Sequence, residues 1–271
     1  MESTNKNIYF HVGISKTGST FLQKRVFPKL SKITYIPTNK YYRIFEEIKN
    51  CDSKKILISR EFDRQFERGV TLFSSRYRTA TPIIVLRKHE EYLASQYKRF
   101  IKNGFKGEVE DFFDLENDKG FFKVIHLSFS YQIKVLKEKF EKNPIVLFHD
   151  ELRSNPRAFV KDFCSLTLSD IDLKKVNFNK KHISYREKQL KAIKTISKYF
   201  NLKKRVVFNN PFLNLFWRLY QAFFRYGILY LSLLVPNFMY SKKPLIDPAY
   251  LKKVSLHFKN DWENCLKYKN R

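Results

Sequence analysis

The sequence predicts an α/β protein: a central, mainly parallel sheet covered by helices on both faces, then a helical C-terminal extension. Three observations predict it. Short runs with apolar centres recur at Ile8–Val12, Lys55–Ser59, Pro82–Leu86 and Pro144–Phe148. Segments with helical spacing of apolar residues separate them. After about Ser184 the strand signal fades, and helical patterns run to the C-terminus, broken at Asn209-Asn210-Pro211, Pro236 and Pro244. Apolar runs of this length suit strands buried on both faces, and their alternation with helices suits a parallel sheet.

Each element has its own warrant. Ile8 to Val12 ends at Gly13 and predicts a buried strand feeding a tight loop. From Ser19 to Leu30, apolar Phe21, Leu22, Val26, Phe27 and Leu30 recur with the period of a helix. KILIS is a second core strand. PIIVL is a third, and HEEYLASQYKRF after it reads as a helix. Tyr131–Phe140 predicts a further helix and Pro144–Phe148 a further strand. There is no internal repeat and no low-complexity linker. The expected organisation is a core over 1–184 and a helical extension over 185–271. The 271 residues suffice for one large domain, or one domain with an appendage.

Composition bounds the partners. Hydrophobic residues make up 43%, enough for a sizeable core. With 53 Lys and Arg against 26 Asp and Glu, the formal net charge is +27. Such a field attracts nucleic acid, anionic membranes, anionic glycans or nucleotides, and charge alone does not choose among them. Cys51, Cys164 and Cys265 show no CxxC spacing, which fits a reducing compartment better than a disulfide framework or zinc site. The first seven residues are polar and lack the apolar core of a secretory signal, so a cytoplasmic location is expected.

The segment from His11 to Thr20, HVGISKTGST, joins the first strand to a helix. A glycine-bearing loop there exposes backbone N–H groups, and the helix N-terminus adds partial positive charge, so a phosphate fits. Lys16 adds a full charge, Ser19 and Thr20 add hydroxyls, and Gly18 lets the backbone approach an anion closely. This is not the ATP-type loop, because Lys16 precedes Gly18 and four residues separate Gly13 from Gly18. The plainer reading is an ordinary capped strand-to-helix turn.

Arg87 ends the PIIVL strand, and Ser95 lies eight residues on. In a helix beginning near His89, Ser95 is nearly two turns in. An arginine fork grips phosphate in bidentate fashion, and a serine hydroxyl adds one bond. The plainer reading is an exposed strand-end arginine and an unrelated helix serine.

K-x-G-[ST]-[ST] after a first strand, followed by IIVLRKHEEYLASQYKRF, resembles the sulfotransferases that use 3′-phosphoadenosine 5′-phosphosulfate (PAPS). SYQIKVLKEKF and NPIVLFHDELRSNP resemble that family's next helix, strand and acidic turn, so the resemblance spans roughly residues 8 to 165. It implies a P-loop-like three-layer sandwich with PAPS as donor and PAP as product. Lys16, Thr17, Gly18, Ser19 and Thr20 would hold the 5′-phosphosulfate, with Ser15 standing where the family often has proline. Lys16 would also neutralise the bridging oxygen as the S–O bond breaks. Arg87 and Ser95 would bind the 3′-phosphate, although Lys88-His89 replaces the usual Asn-Pro. Lys180 and Lys181, in the basic run NFNKKHIS, match a late loop that closes over the nucleotide.

An acceptor hydroxyl must lose its proton, and a carboxylate or histidine near the sulfur would take it. Glu61 follows KILISR, between the two phosphate motifs. It resembles the base of the carbohydrate branch of the family, with Phe62 where a lysine commonly follows and Arg60 preceding. The plainer reading has Glu61 capping a helix or pairing with Arg64. Among the six histidines, His11, His126 and His149 read as structural, and His182 lies in the basic run. No divalent metal is required, because lysine, arginine and backbone dipoles can offset the developing charge.

Residues 212–240 hold many large apolar side chains, with Asn214, Arg218, Gln221 and Arg225 on one helical face. The uncharged run from Tyr226 to Ser241 contains Pro236 and is too short for a bilayer span of about 20 residues. The stretch reads first as a core helix or homodimer face, and second as a peripheral membrane contact beside a glycolipid acceptor. The expected activity is sulfuryl transfer to a hydroxyl or amine of a carbohydrate or glycolipid. Two rivals stand beside it. A P-loop kinase needs a lysine after the glycine and an acidic metal ligand at a strand end. A basic binding protein without chemistry rests on charge alone, and its basic residues are dispersed, so nucleic acid is not an expected partner.

Overall fold

The computed structural model describes residues 6–179, 185–202 and 208–269. The four expected strands form as β1 (Asn7–Gly13), β4 (Lys55–Glu61), β5 (Thr81–Leu86) and β6 (Ile145–Phe148). Three short strands join them: β2 (Leu30–Ser31), β3 (Thr34–Ile36) and β7 (Asp170–Ile171). One sheet runs β3-β4-β1-β5-β6 with every neighbouring pair parallel. β2 and β7 pair antiparallel in a separate two-stranded sheet. The helices are α1 (Ser19–Phe21), α2 (Ile44–Lys49), α3 (Phe66–Ser74), α4 (His89–Lys102), α5 (Val109–Phe112), α6 (Val124–Leu127), α7 (Phe129–Lys139), α8 (His149–Ser154) and α9 (Pro156–Leu166). α10 (Glu187–Tyr199), α11 (Pro211–Leu231), α12 (Pro248–His257) and α13 (Lys259–Leu266) follow.

The described residues divide into two compact units. The first lies within Met1–Tyr92, Ile125–Asn179 and His257–Arg271, and the second within Leu93–Val124 and Lys180–Leu256.

The first unit holds the sheet. Alternation along each strand sends neighbours to opposite faces. Tyr9, Leu57, Ile83, Val85 and Leu147 pack with Leu22, Val26, Phe27, Phe159 and Phe163 on one face. On the other, Phe10 stacks on Phe73 with centroids 4.0 Å apart, and Phe140 closes edge-on at 6.3 Å. Helices therefore cover both faces, which is the three-layer α/β arrangement the sequence predicts. α13 is pinned to the start of α7 by Asp261. Its carboxylate accepts bonds from Phe129 N (3.0 Å), Ser128 Oγ (3.0 Å) and the Ser130 hydroxyl, and His89 Nε2 contacts it at 2.9 Å. The His89 ring lies between Phe129 and Phe258 at 4.4 and 4.5 Å.

The second unit is helical. α10 is fastened to α11 and to the segment after it, through Gln189 Nε2 to Leu229 O (2.8 Å) and Lys188 Nζ to Leu233 O (2.9 Å). Buried Lys194 donates to Glu108 Oε2 (2.6 Å) and to the Tyr97 hydroxyl (3.1 Å).

Two local expectations are corrected. Ser19–Leu30 is not one α-helix: α1 gives way to a π-turn at Leu22–Val26 and a 3₁₀ turn at Phe27–Lys29, and Leu30 enters β2. Pro28 has no N–H to continue an α ladder, which accounts for the stop. The segment after β6 is not an open acidic turn but the six-residue helix α8.

Candidate functional site

β1 lies between β4 and β5, and the chain visits the β4 side of it before crossing to β5. This is the point where the strand order reverses, and ligands of open parallel sheets bind in the crevice beyond the strand ends there. Gly13, Glu61, Arg87 and His149 all stand at or just past those ends.

The loop from Ile14 to Gly18 is shaped by its backbone. Lys16 has φ +72° and Gly18 φ +95°. The Lys16 conformation is uncommon for a residue with a Cβ, and such residues cluster at ligand sites. At Gly18 any Cβ would run into the Leu152 side chain of α8 and lie 3.8 Å from His149 Cδ2. At Gly13 a Cβ would sit 3.0 Å from Glu61 Cγ and 3.2 Å from Ser19 Oγ, so a larger residue there would have to push those two side chains aside. Of the loop side chains, Lys16 and Thr20 are exposed, while Ser15, Thr17 and Ser19 are buried. The Thr17 and Ser19 hydroxyls both donate to Ile14 O, at 2.6 and 3.2 Å. These two hydroxyls therefore hold the loop's shape.

Glu61, the last residue of β4, is in register with Gly13. Its Oε2 accepts a bond from Ser15 Oγ at 3.0 Å. It caps no following helix, since the N-cap of α3 is Gln65. Glu61 is thus fixed beside the loop that carries Lys16.

Arg87 comes to the same loop from β5. Its Nη1 donates to Lys16 O at 3.1 Å. Its Nε and Nη2 hold Glu91 Oε2, each at 3.1 Å, one turn along α4. Arg153 of α8 reaches both Glu91 oxygens at 3.3 Å and Asp150 at 3.5 Å, and Lys88 lies 3.7 Å from Asp150. Burial alone would raise the Glu91 carboxyl pKa; the charges of Arg87 and Arg153 outweigh it and hold the group below its ordinary value.

His149 completes the cluster. Burial, then the nearby Arg87 charge, bring its pKa down to about 4 against the pull of Asp150 and Glu91, so it is neutral at pH 7. Its Nδ1 has no hydrogen-bond partner among the described residues. One ligand atom each of Glu91, His149 and Asp150 fall within 4.8 Å of one another. Arg87, Arg153 and Lys88 pair with the same carboxylates, so the cluster supplies its own cations. His11, fully buried on β1, is likewise lowered to about 4 by burial, with Nδ1 2.8 Å from Ser59 Oγ.

The structure thus brings together Ser15, Lys16, Thr17, Gly18, Ser19, Thr20, Glu61 and Arg87. Ser95 is half-buried on α4 in the second unit. Lys180 and Lys181 lie outside the described residues, as does His182. Sequence alone does not single out Glu91, Asp150 or Arg153, and it marks His149 only as structural. Their signal was position: His149 directly follows an apolar strand, and Glu91 lies four residues beyond Arg87, one helical turn away.

No protein-family model matches the chain, and no curated protein matches it significantly. A crystal structure of a sulfotransferase from Alicyclobacillus acidocaldarius is similar over 71% of this chain and 92% of that one, at 14% identity and a TM-score of 0.50. Mouse sulfotransferase SULT7A1, crystallised with PAP, aligns over 65% of this chain and 63% of its own, at 15% identity and a TM-score of 0.38. The chain therefore shares the α/β fold of a sulfotransferase of known structure.

Proposed function

We propose that this protein transfers a sulfuryl group from PAPS to a hydroxyl or amine of a carbohydrate or glycolipid. One observation carries the reading. The loop carrying Lys16 and the strand end carrying Arg87, the two stretches whose sequence suggests anion binding, meet at the reversal point of the sheet through Arg87 Nη1 and Lys16 O. A nucleotide with phosphate at both its 5′ and 3′ positions presents two anionic groups to such a pair of cations.

The loop Lys16–Thr20, with Ser15, is assigned to the 5′ end. Its backbone N–H groups and the Lys16 ammonium offset charge on the phosphate as the S–O bond breaks. The Arg87 fork is assigned to the 3′-phosphate, which requires it to exchange Glu91 for the incoming anion. Ser95, Lys180 and Lys181 keep the nucleotide roles the sequence resemblance implies. Glu61 is assigned as base. Its carboxylate accepts the acceptor proton while the acceptor oxygen or nitrogen bonds to sulfur, and PAP departs with the electrons of the broken S–O bond. The acceptor class rests on Glu61, which resembles the base of the carbohydrate branch.

Thermal-shift titration tests the donor site. PAP raises the melting temperature at concentrations where AMP has little effect. Lys16→Ala and Arg87→Ala each weaken the PAP response by about tenfold or more, the loss of one charge-assisted contact. Circular dichroism of the ligand-free variants checks that they fold. Equal responses to PAP and AMP overturn the assignment.

A further inference from the structure

α11 is amphipathic in the reverse sense from a core helix. Phe212, Phe216, Leu219, Phe223, Tyr226 and Tyr230 repeat at intervals of four, three, four, three and four residues, which places them on one face. All six are exposed, from 42% at Tyr226 to 81% at Phe223. On the opposite face Asn214, Gln221 and Arg225 are half-buried, while Arg218 is exposed. Asn214 Oδ1 accepts from Phe208 N at 2.8 Å, and Arg225 Nη2 donates to Leu202 O at 3.2 Å. The expectation of a core helix is therefore corrected: within α11 only Ile228 and Leu229 are buried. The apolar surface continues past the helix at Leu234 (81% exposed) and Phe238 (86% exposed). Soluble proteins seldom leave a connected patch of this kind uncovered.

Charge selects the occupant. Between Glu187 and Asp247 the sequence carries eleven Lys and Arg and no Asp or Glu. Lys198, Arg218, Lys242 and Lys243 are exposed in this region. A second copy of the chain would bring another basic segment, free of Asp and Glu from 188 to 246, against this one, and like charges would oppose the contact. An anionic bilayer presents the opposite charge and an apolar interior at once, the two properties this face needs. Among the described residues no helix is long and apolar enough to cross a membrane.

We infer that α11 and the segment up to Phe238 lie on the surface of an anionic lipid bilayer, with the Phe212–Tyr230 stripe at the level of the acyl chains. The docking argument stands without the sulfuryl reading. Only its corollary, that the acceptor is lipid-linked, rests on that reading.

Co-sedimentation of the full chain with vesicles tests it. The protein pellets with vesicles containing phosphatidylglycerol and stays in solution with pure phosphatidylcholine at physiological salt. Phe216→Ser with Phe223→Ser lowers the binding by about tenfold or more, as expected for losing two apolar anchors. Both positions are exposed, so the variant's melting and its PAP response are unchanged, which separates this test from that of the donor site. Equal pelleting with both vesicle types, or no pelleting with either, overturns the inference. So does a dimer, measured by light scattering, that the same double substitution dissociates.

Discussion

At the scale of single residues, the site is a set of side chains with divided duties. Glu61 Oε2 accepts from Ser15 Oγ, and in the proposed reaction the carboxylate takes the acceptor's proton. Glu61→Gln keeps the shape and the Ser15 contact but cannot take a proton. Its expected effect is a loss of about 10²–10⁴-fold in turnover with PAP affinity unchanged. Labelled-sulfate transfer to a glycan panel measures the first and thermal shift the second; unchanged turnover removes Glu61 as base. The placement of Lys16, Gly18, Arg87 and Glu61 at or beyond the strand ends was legible because each follows an apolar run. Glu91 and Arg153 were not. The Glu91 spacing from Arg87 marks an i,i+4 pair but not its place in a larger cluster, and the Arg153–Glu91 pairing across 62 residues leaves no mark in local sequence.

At the scale of elements, β1, β4, β5 and β6 were legible because burial on both faces leaves nearly uninterrupted apolar runs. β2, β3 and β7 have two or three residues each, too few to show any period. The seating of α13 was equally hidden, since Asp261 acts on Ser128, Phe129 and Ser130 from more than 130 positions away. Burial would raise the Asp261 pKa, but its bonds with His89 and Ser130 hold it below 3.8. A carboxyl with a depressed folded pKa contributes stability above its unfolded value, and that contribution fades as pH falls through the folded one. Asp261→Asn should therefore cost about 2–3 kcal/mol at pH 6. The gap from wild type should narrow below pH ~4. Urea unfolding at the two pH values checks this, and a gap that is constant with pH contradicts it.

At the scale of the whole molecule, two buried imidazoles add to the acid sensitivity. His11 and His149 are both lowered from 6.5 to about 4. Between those values the unfolded chain binds protons that the folded chain refuses, so stability falls as pH drops from 6.5 toward 4. The net charge of +27 adds self-repulsion in the same direction. Urea midpoints across this range should decline, and His11→Asn should make the decline shallower. A flat wild-type profile contradicts the account. The α/β class could be read from the order of apolar runs. The outward aspect of α11 could not, because its period is the same whether the apolar stripe faces a core, a partner or lipid.

The Glu91 carboxylate resting in the fork of Arg87 makes recognition there a contest between anions. An incoming group gains only the difference between two similar ion pairs, so a singly charged visitor is matched by the resident and a doubly charged one prevails. The displaced carboxylate still has Arg153 to neutralise it. If Arg87 takes the 3′-phosphate as proposed, selectivity for a phosphate monoester follows from this competition, without a wall or clash to exclude the rest.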